Sequence, residues 1–230
     1  MKKLVMAFAI VCSVSALRAE PDYYAALCAW APGQIPSASS SVIWGVRGTL
    51  FYGDCTVMDG LDLAIGANRT RERFNGLGIA LVYNYANSLA GVQLGFANVV
   101  DRESYGLQLG AWNHAGEGYG EQCGIVNTAG YCAGLQDGLF NWSDDLAGVQ
   151  SGIINIADNE MFGAQLDACW NHANAGYGLQ WGVVNTADYF AGLQVGLFNW
   201  ANNLDGLQVG VVNVIVDQTI FVFPFVNLGF

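Results

Sequence analysis

Positive charge is scarce in this chain, with eight Lys and Arg against nineteen Asp and Glu in 230 residues and a formal net charge of −11 at pH 7. Three of the eight basic residues, Lys2, Lys3 and Arg18, fall in the first 19 positions. A chain that loses that stretch keeps five, for a net charge near −14. Such an acid excess argues against nucleic acid and against anionic lipid headgroups as partners. Charged residues of either sign make up only 12%, whereas 53% of the chain is apolar, a balance that does not suit a loop-rich soluble enzyme. It suits a repeat stack with a dry interior, or a sheet that meets lipid. Histidine is nearly absent, and no two cysteines stand in a CxxC arrangement. Zinc and thioredoxin-like redox chemistry therefore lack a basis, and neither a metal nor a cofactor is expected. No Ser stands with a His and an Asp at a recognisable nucleophile spacing, so no catalytic residues are assigned and no enzyme is expected.

What the chain has instead is a repeat: Gly, any residue, Gln, any residue, usually Gly, two residues that are mostly apolar, then Asn. The Gln positions are Gln93, Gln108, Gln122, Gln136, Gln150, Gln165, Gln180, Gln194 and Gln208. The matching Asn positions are Asn98, Asn113, Asn127, Asn141, Asn155, Asn171, Asn185, Asn199 and Asn213. A fixed period marks a structural unit that buries its apolar side against its neighbours, and these residues are its structural ladder. A longer repeat is superposed on it. Asn113-His114-Ala115, Asn127-Thr128-Ala129 and Asn141-Trp142-Ser143 recur as Asn171-His172-Ala173, Asn185-Thr186-Ala187 and Asn199-Trp200-Ala201. Four units were copied as one block.

Residues 1–19 read as a secretory signal, with Lys2 and Lys3 before a short apolar stretch and Leu17-Arg18-Ala19 as the cleavage site. The apolar stretch is too short to cross a bilayer as a helix. Val11 before Cys12 departs from a lipoprotein signal, so export without lipidation is expected. Residues 20–42, with three prolines and a Ser-rich run, read as a loose leader or a cap. A single β-repeat domain covers 43–230: degenerate units over 43–89, a regular array over 90–213 and an aromatic tail over 214–230. Five cysteines remain after export. An odd count leaves at least one unpaired, and several are read as small buried apolar residues.

The unit itself is β, because alternate Gly with Val, Ile, Phe and Trp beside it opposes helix. Ser143-Asp144-Asp145 and Ala201-Asn202-Asn203 read as turns. Two all-β architectures remain open. In a parallel β-solenoid with coils of about 14 residues, like residues stack at about 4.8 Å and columns of Asn and Gln bond along the axis. This is the favoured fold. In the alternative, an antiparallel outer-membrane β-barrel, successive Gln residues face opposite sides unless bulges intervene. The barrel is supported by the terminal Phe230, a possible membrane-assembly signal, and by aromatics near unit ends that could form girdles, Tyr105, Tyr119, Trp142, Tyr177 and Trp200.

Gly192-Leu193-Gln194-Val195-Gly196-Leu197-Phe198-Asn199 and its copies, with the tail Phe221-Val222-Phe223-Pro224-Phe225-Val226-Asn227, resemble the bacterial surface repeat-containing family first annotated in spirochaetes. The resemblance covers residues 43–230. It implies an exported, surface-associated protein of repeat architecture, and no reaction. The chain departs from the pattern at Asp167, where Gly is expected, and in the long Gln165 unit, which predicts a bulge.

Other chemistry gives way to structural readings. His114 and His172 occupy equivalent places four coils apart and cannot share a metal. Asp144-Asp145 and Asp158-Asn159-Glu160 fall at joints, as turn residues do. The column Trp112, Val126, Phe140, Ile154, Trp170, Val184, Phe198 and Val212 alternates large with small, as packing requires. Exposure of Trp112 and Trp170 on one face would turn that column into a sugar-stacking surface. The expectation is an exported, non-enzymatic cell-envelope or surface repeat protein, structural or ligand-binding. Its partner would be an unknown surface ligand or envelope component. The alternative is a small outer-membrane barrel serving as anchor or pore.

Overall fold

The computed structural model describes residues 22–30, 33–35, 41–218 and 222–230, so the signal of residues 1–19 and Cys12 lie outside the described residues. The described chain is strand throughout, with no helix: β1 (Asp22–Trp30), β2 (Val42–Ala64), β3 (Ala67–Trp181), β4 (Val184–Ile215) and β5 (Val222–Gly229). These are coils rather than straight strands, and they stack in parallel as a β-solenoid. The chain divides into two compact units, Met1–Asp101 and Arg102–Phe230, with β3 supplying coils to both.

In the first unit β1 pairs in parallel with β2, and β2 with the start of β3, so that Gly60 faces Gly76 and Asp62 faces Gly78. In the second unit the end of β3 pairs in parallel with β4, setting Asn171 on Asn185, Gly178 on Gly192 and Gln180 on Gln194. A parallel stack puts every copy of a residue on the same side of the wall, which is why units can be copied without refitting the core. The antiparallel barrel is thereby excluded. Among the described strands β5 alone runs antiparallel, lying against residues 206–214 of β4, and a single antiparallel bridge joins Leu27 to Ile35.

The corners also differ from expectation. Ser143 and Ala201, read as the start of turns, are fully buried in the wall. Neighbouring coils approach closely at the Gly two places before most of the Gln residues. Gly134 has φ of 156°, and a Cβ there would stand 2.0 Å from the Gly120 carbonyl oxygen one coil away. Only a residue without a side chain fits that conformation and that approach. The leader also differs: its residues 22–30 form β1, with Ala26 and Cys28 inward and Leu27 outward.

Each unit has its own core. In the first, Ile43, Cys55, Met58, Phe74, Ala86, Leu89 and Val100 cluster. In the second, Ala129, Ala157, Ala173, Ala187 and Ala201 line up in one column, and Cys132, Leu146, Met161, Phe190 and Leu204 in another. The second column mixes large with small, the widest contrast being Gly176 between Met161 and Phe190. A Cβ on Gly176 would lie 2.4 Å from the Phe190 ring, so the glycine is the space the ring occupies.

Candidate functional site: buried ladders and outer faces

All eighteen Gln and Asn residues of the repeat are buried. In the second unit each Gln amide donates to the Gln of the preceding coil, as Gln136 Nε2 does to Gln122 Oε1 at 2.8 Å and Gln150 Nε2 to Gln136 Oε1 at 2.8 Å. Its other proton goes to a backbone carbonyl, that of Trp142 for Gln136 and Ile156 for Gln150. The Asn ladder has the opposite polarity. Asn127 Nδ2 donates forward to Asn141 Oδ1 at 2.8 Å and to the Asp137 carbonyl at 2.9 Å. Two rows of amide dipoles therefore run head to tail in opposite directions within one wall. Each row polarises itself along the stack while their net dipoles oppose. The ladder amides are buried and bond to one another and to backbone carbonyls, as a support structure does.

The second glycine of the repeat exists to make room for it. A Cβ on Gly196 would stand 2.6 Å from Asn185 Nδ2 and 2.4 Å from the Gly182 carbonyl. Asp167 breaks this column. The chain takes sixteen residues from Asn155 to Asn171 instead of fourteen, yet Asn155 keeps both ladder bonds, to Asn171 Oδ1 and to the carbonyl of Leu166, the residue after Gln165. The strand stops at Trp181, opposite the intruding carboxyl group. Both Asp167 carboxylate oxygens are shielded from solvent and have no partner in hydrogen-bond geometry. Burial pushes its pKa up to about 7, partly opposed by the amides of Cys169 and Val183, which face it.

The Gln column has a different filling in the first unit, where the equivalent places are Arg47, Asp62, Gly78 and Gln93. Arg47 and Asp62 are buried and joined in a fork, Nε to Oδ1 at 2.8 Å and Nη2 to Oδ2 at 2.5 Å. Burial works against the Arg47 charge, but the Asp62 carboxylate outweighs it and holds the guanidinium pKa above its ordinary value. Sequence reasoning missed this pair. The signal was present, since Gly45-Val46-Arg47 and Gly60-Leu61-Asp62 align with the Gly-Leu-Gln of later units.

Other candidates settle as follows. His114 and His172 are half-buried, and each Nδ1 lies 2.9 Å from a Thr hydroxyl on the next coil, Thr128 and Thr186. Asp145 Oδ1 accepts from the Glu160 amide, and no cluster of metal-ligating side chains occurs among the described residues. Cys28, Cys55 and Cys132 are buried, burial pushing the Cys132 thiol up to about 12, and all five described cysteines are free thiols. Of the aromatics read as girdles, Tyr105 stacks on Tyr119 at 4.8 Å and Tyr177 on Phe162 at 4.7 Å, each pair on consecutive coils, whereas the Trp142 and Trp200 indoles donate to Asp158 and Asn202. Phe230 stands 99% exposed just beyond β5.

The outside carries two features that periodicity did not reveal. In the first unit, a groove of about 750 Å³ is lined almost wholly by apolar residues, among them Leu27, Ile35, Leu50, Leu63, Ile65 and Leu81. In the second unit, Trp112 and Trp170 are 45% and 38% exposed in the same column, which overturns the packing reading for these two. Beside them the next column, with Ile125, Leu139, Ile153, Val183, Leu197 and Val211, is exposed as well. No family model, no curated protein and no solved structure matches this chain.

Proposed function

We propose that the chain is an exported, non-enzymatic repeat protein of the cell envelope, of the surface-repeat kind its Gly-Leu-Gln units resemble. It acts as a rigid scaffold that presents a binding face. The observation that carries this reading is the pairing of a polar interior of buried, mutually bonded Gln and Asn ladders with a regular exposed apolar and aromatic exterior. The interior chemistry is consumed by the ladders, and the groups left free to meet a partner lie in columns on the outside. Trp112 and Trp170, four coils and about 19 Å apart, favour stacking on the rings of an envelope saccharide as the binding mode.

Fractionation of the producing cell, with protease treatment of intact cells, tests the address. Recovery in the envelope fraction with digestion from outside is the expected result. A cytoplasmic, protected protein would overturn it. Trp112→Ala with Trp170→Ala should abolish retention on purified envelope polysaccharide while leaving the β circular dichroism unchanged. Undiminished retention removes the saccharide reading.

A further inference from the structure

The wall that carries the Asn ladder has an outer side. Each ladder Asn of the second unit is buried and bonds to the Asn of the next coil. Along a strand, residues alternate between inside and outside, so the residues before and after each Asn point out and form two parallel columns. Read across both columns, coils alternate between rings and aliphatic or hydroxyl side chains. Trp112 stands beside His114, and Trp170 beside His172. Two coils on from each, the order is reversed, with Phe140 beside Trp142 and Phe198 beside Trp200. The coils between carry a Val with a Thr, as Val184 and Thr186 do, or Ile154 with Ile156.

The result is a row of aromatic rungs on every second coil, about 10 Å apart at about 4.8 Å per coil, each offering one indole. From Trp112 to Trp200 the row runs about 29 Å along the stack axis. Trp112, Trp170 and Trp200 are 45%, 38% and 39% exposed, and Trp142 is half-buried. Three of the indoles are held by their N–H groups. Trp142 Nε1 donates to Asp158 Oδ2 at 3.0 Å, Trp170 Nε1 to Thr186 Oγ1 at 2.9 Å and Trp200 Nε1 to Asn202 Oδ1 at 3.3 Å. A ring fixed before binding loses little freedom when a ligand stacks on it. Asn174 and Asp188, both exposed, edge the row with hydrogen-bonding groups.

We infer that the four rungs are one track for an extended saccharide chain laid along the stack axis, an inference that rests on the saccharide reading above and adds Trp142 and Trp200 to its site. Sugar rings present an apolar C–H face, which stacks on an indole, and hydroxyl groups at their edges, which need polar partners. The track supplies both. Rungs repeated in line at one pitch suit a polymer whose rings also repeat in line, whereas a single sugar or a chain end needs only one indole. Asp144, Asp158 and Asp188 share a column along the edge of the track, so an acidic polymer is repelled and the chain that binds is free of acid groups. Each rung alone is a weak contact, and contacts linked along one chain reinforce one another.

Calorimetric titration with purified envelope polysaccharide, intact and cut by partial hydrolysis into size-graded fragments, tests this. Fragments long enough to lie on all four rungs should bind about tenfold or more tightly than fragments confined to one. That length dependence is read on the natural chain and needs no variant. Trp142→Thr with Trp200→Thr gives two rungs the residue that Thr128 and Thr186 already place in the same column. The double variant should bind long fragments about tenfold or more weakly, with an unchanged circular dichroism spectrum. Trp181→Ala, 59% exposed on another face, should leave binding as it was. Equal affinity for short and long fragments would overturn the track, and so would undiminished binding by the double variant; in both cases the saccharide reading survives. Failure of the intact polysaccharide to bind at all removes that reading and the track together.

Discussion

The two units solve one problem in two ways. Both place a polar column inside the wall, one place after an outward apolar residue. In the second unit the column is an unbroken run of glutamines, each from Gln122 to Gln194 a donor to one neighbour and an acceptor from the other. In the first it is an arginine, an aspartate, a glycine and one glutamine. The amide ladder is neutral, self-similar and extensible, so adding a coil adds a bond and asks for nothing new. An ion pair is complete at two members and cannot be copied. Orphaned buried groups follow this division. The first unit holds Arg47 Nη1, Thr49 Oγ1 and both amide atoms of Asn68 without partners, whereas in the second they occur only at Asp167 and at the β5 end. A repeat spreads by duplication where its interior bonds are translationally identical. The region that departs from identity has bespoke contacts.

The largest effect should come from breaking the bespoke contact. Asp62→Leu leaves the Arg47 guanidinium buried without its counter-charge, and loss of one partner of a buried pair costs about 3–5 kcal/mol. Urea unfolding should show that loss, and hydrogen exchange should place it in the first unit. Arg47→Gln with Asp62→Gln sharpens the contrast, because it writes the second unit's solution into the first. The double variant should recover to within about 1 kcal/mol of the natural chain. If it stays as unstable as Asp62→Leu, the column is not interchangeable between the units.

Next comes a break in the copied ladder. Gln150→Leu removes the acceptor of Gln165 and the donor to Gln136 and to the Ile156 carbonyl. Orphaning buried groups costs about 1–3 kcal/mol each, and part of the lost polarity returns as apolar burial. A net loss of about 2–4 kcal/mol by urea unfolding is expected, with exchange accelerated in the second unit alone.

Much of this architecture was legible in the sequence because stacking makes identity visible. Gln and Asn recurring at fixed positions imply columns, and columns of like residues need parallel neighbours. What was not legible was decided by single atoms. Asp and Asn pairs resemble turn residues, yet Ser143 and Ala201 beside them are buried in the wall, and burial leaves no mark in residue type. Trp112 alternates with Val126 and Phe140 as a packed column would, and the same alternation is equally compatible with an outer face. Arg47 and Asp62 were hidden because charge suggests surface. Alignment to the Gln column, rather than residue type, places them inside.

Asp167 gives a smaller effect with a distinct signature. Its folded pKa, about 7, lies above the ordinary aspartate value of 3.8. A raised acid binds its proton more tightly when folded, so its contribution is fully present below pH 4 and is lost as pH rises through 7. For a residue only partly buried, at the surface of the stack, the loss should be on the order of 1–2 kcal/mol. Asp167→Gly restores the column and should flatten the second unit's stability between pH 4 and 8, raising it most at pH 8. An unchanged pH dependence in that variant would place the titrating group elsewhere.

The smallest effect lies where the copied solution runs out. The last rung, Gln208, has an Oε1 that no further glutamine reaches, and across from it on β5 stands Asn227 with a buried, unpaired Nδ2. Donor and acceptor face each other on paired residues without bonding, because the strand that caps the stack is antiparallel and its amide is one methylene short. Asn227→Gln supplies that methylene and should add one rung, worth about 1 kcal/mol in urea unfolding. Asn227→Ala should be nearly neutral, since it deletes a donor that is already unsatisfied. Were the alanine variant to lose as much as the glutamine variant gains, Asn227 would already hold Gln208 through a bridging water. The ladder would then be closed at its end in the same manner as along its length.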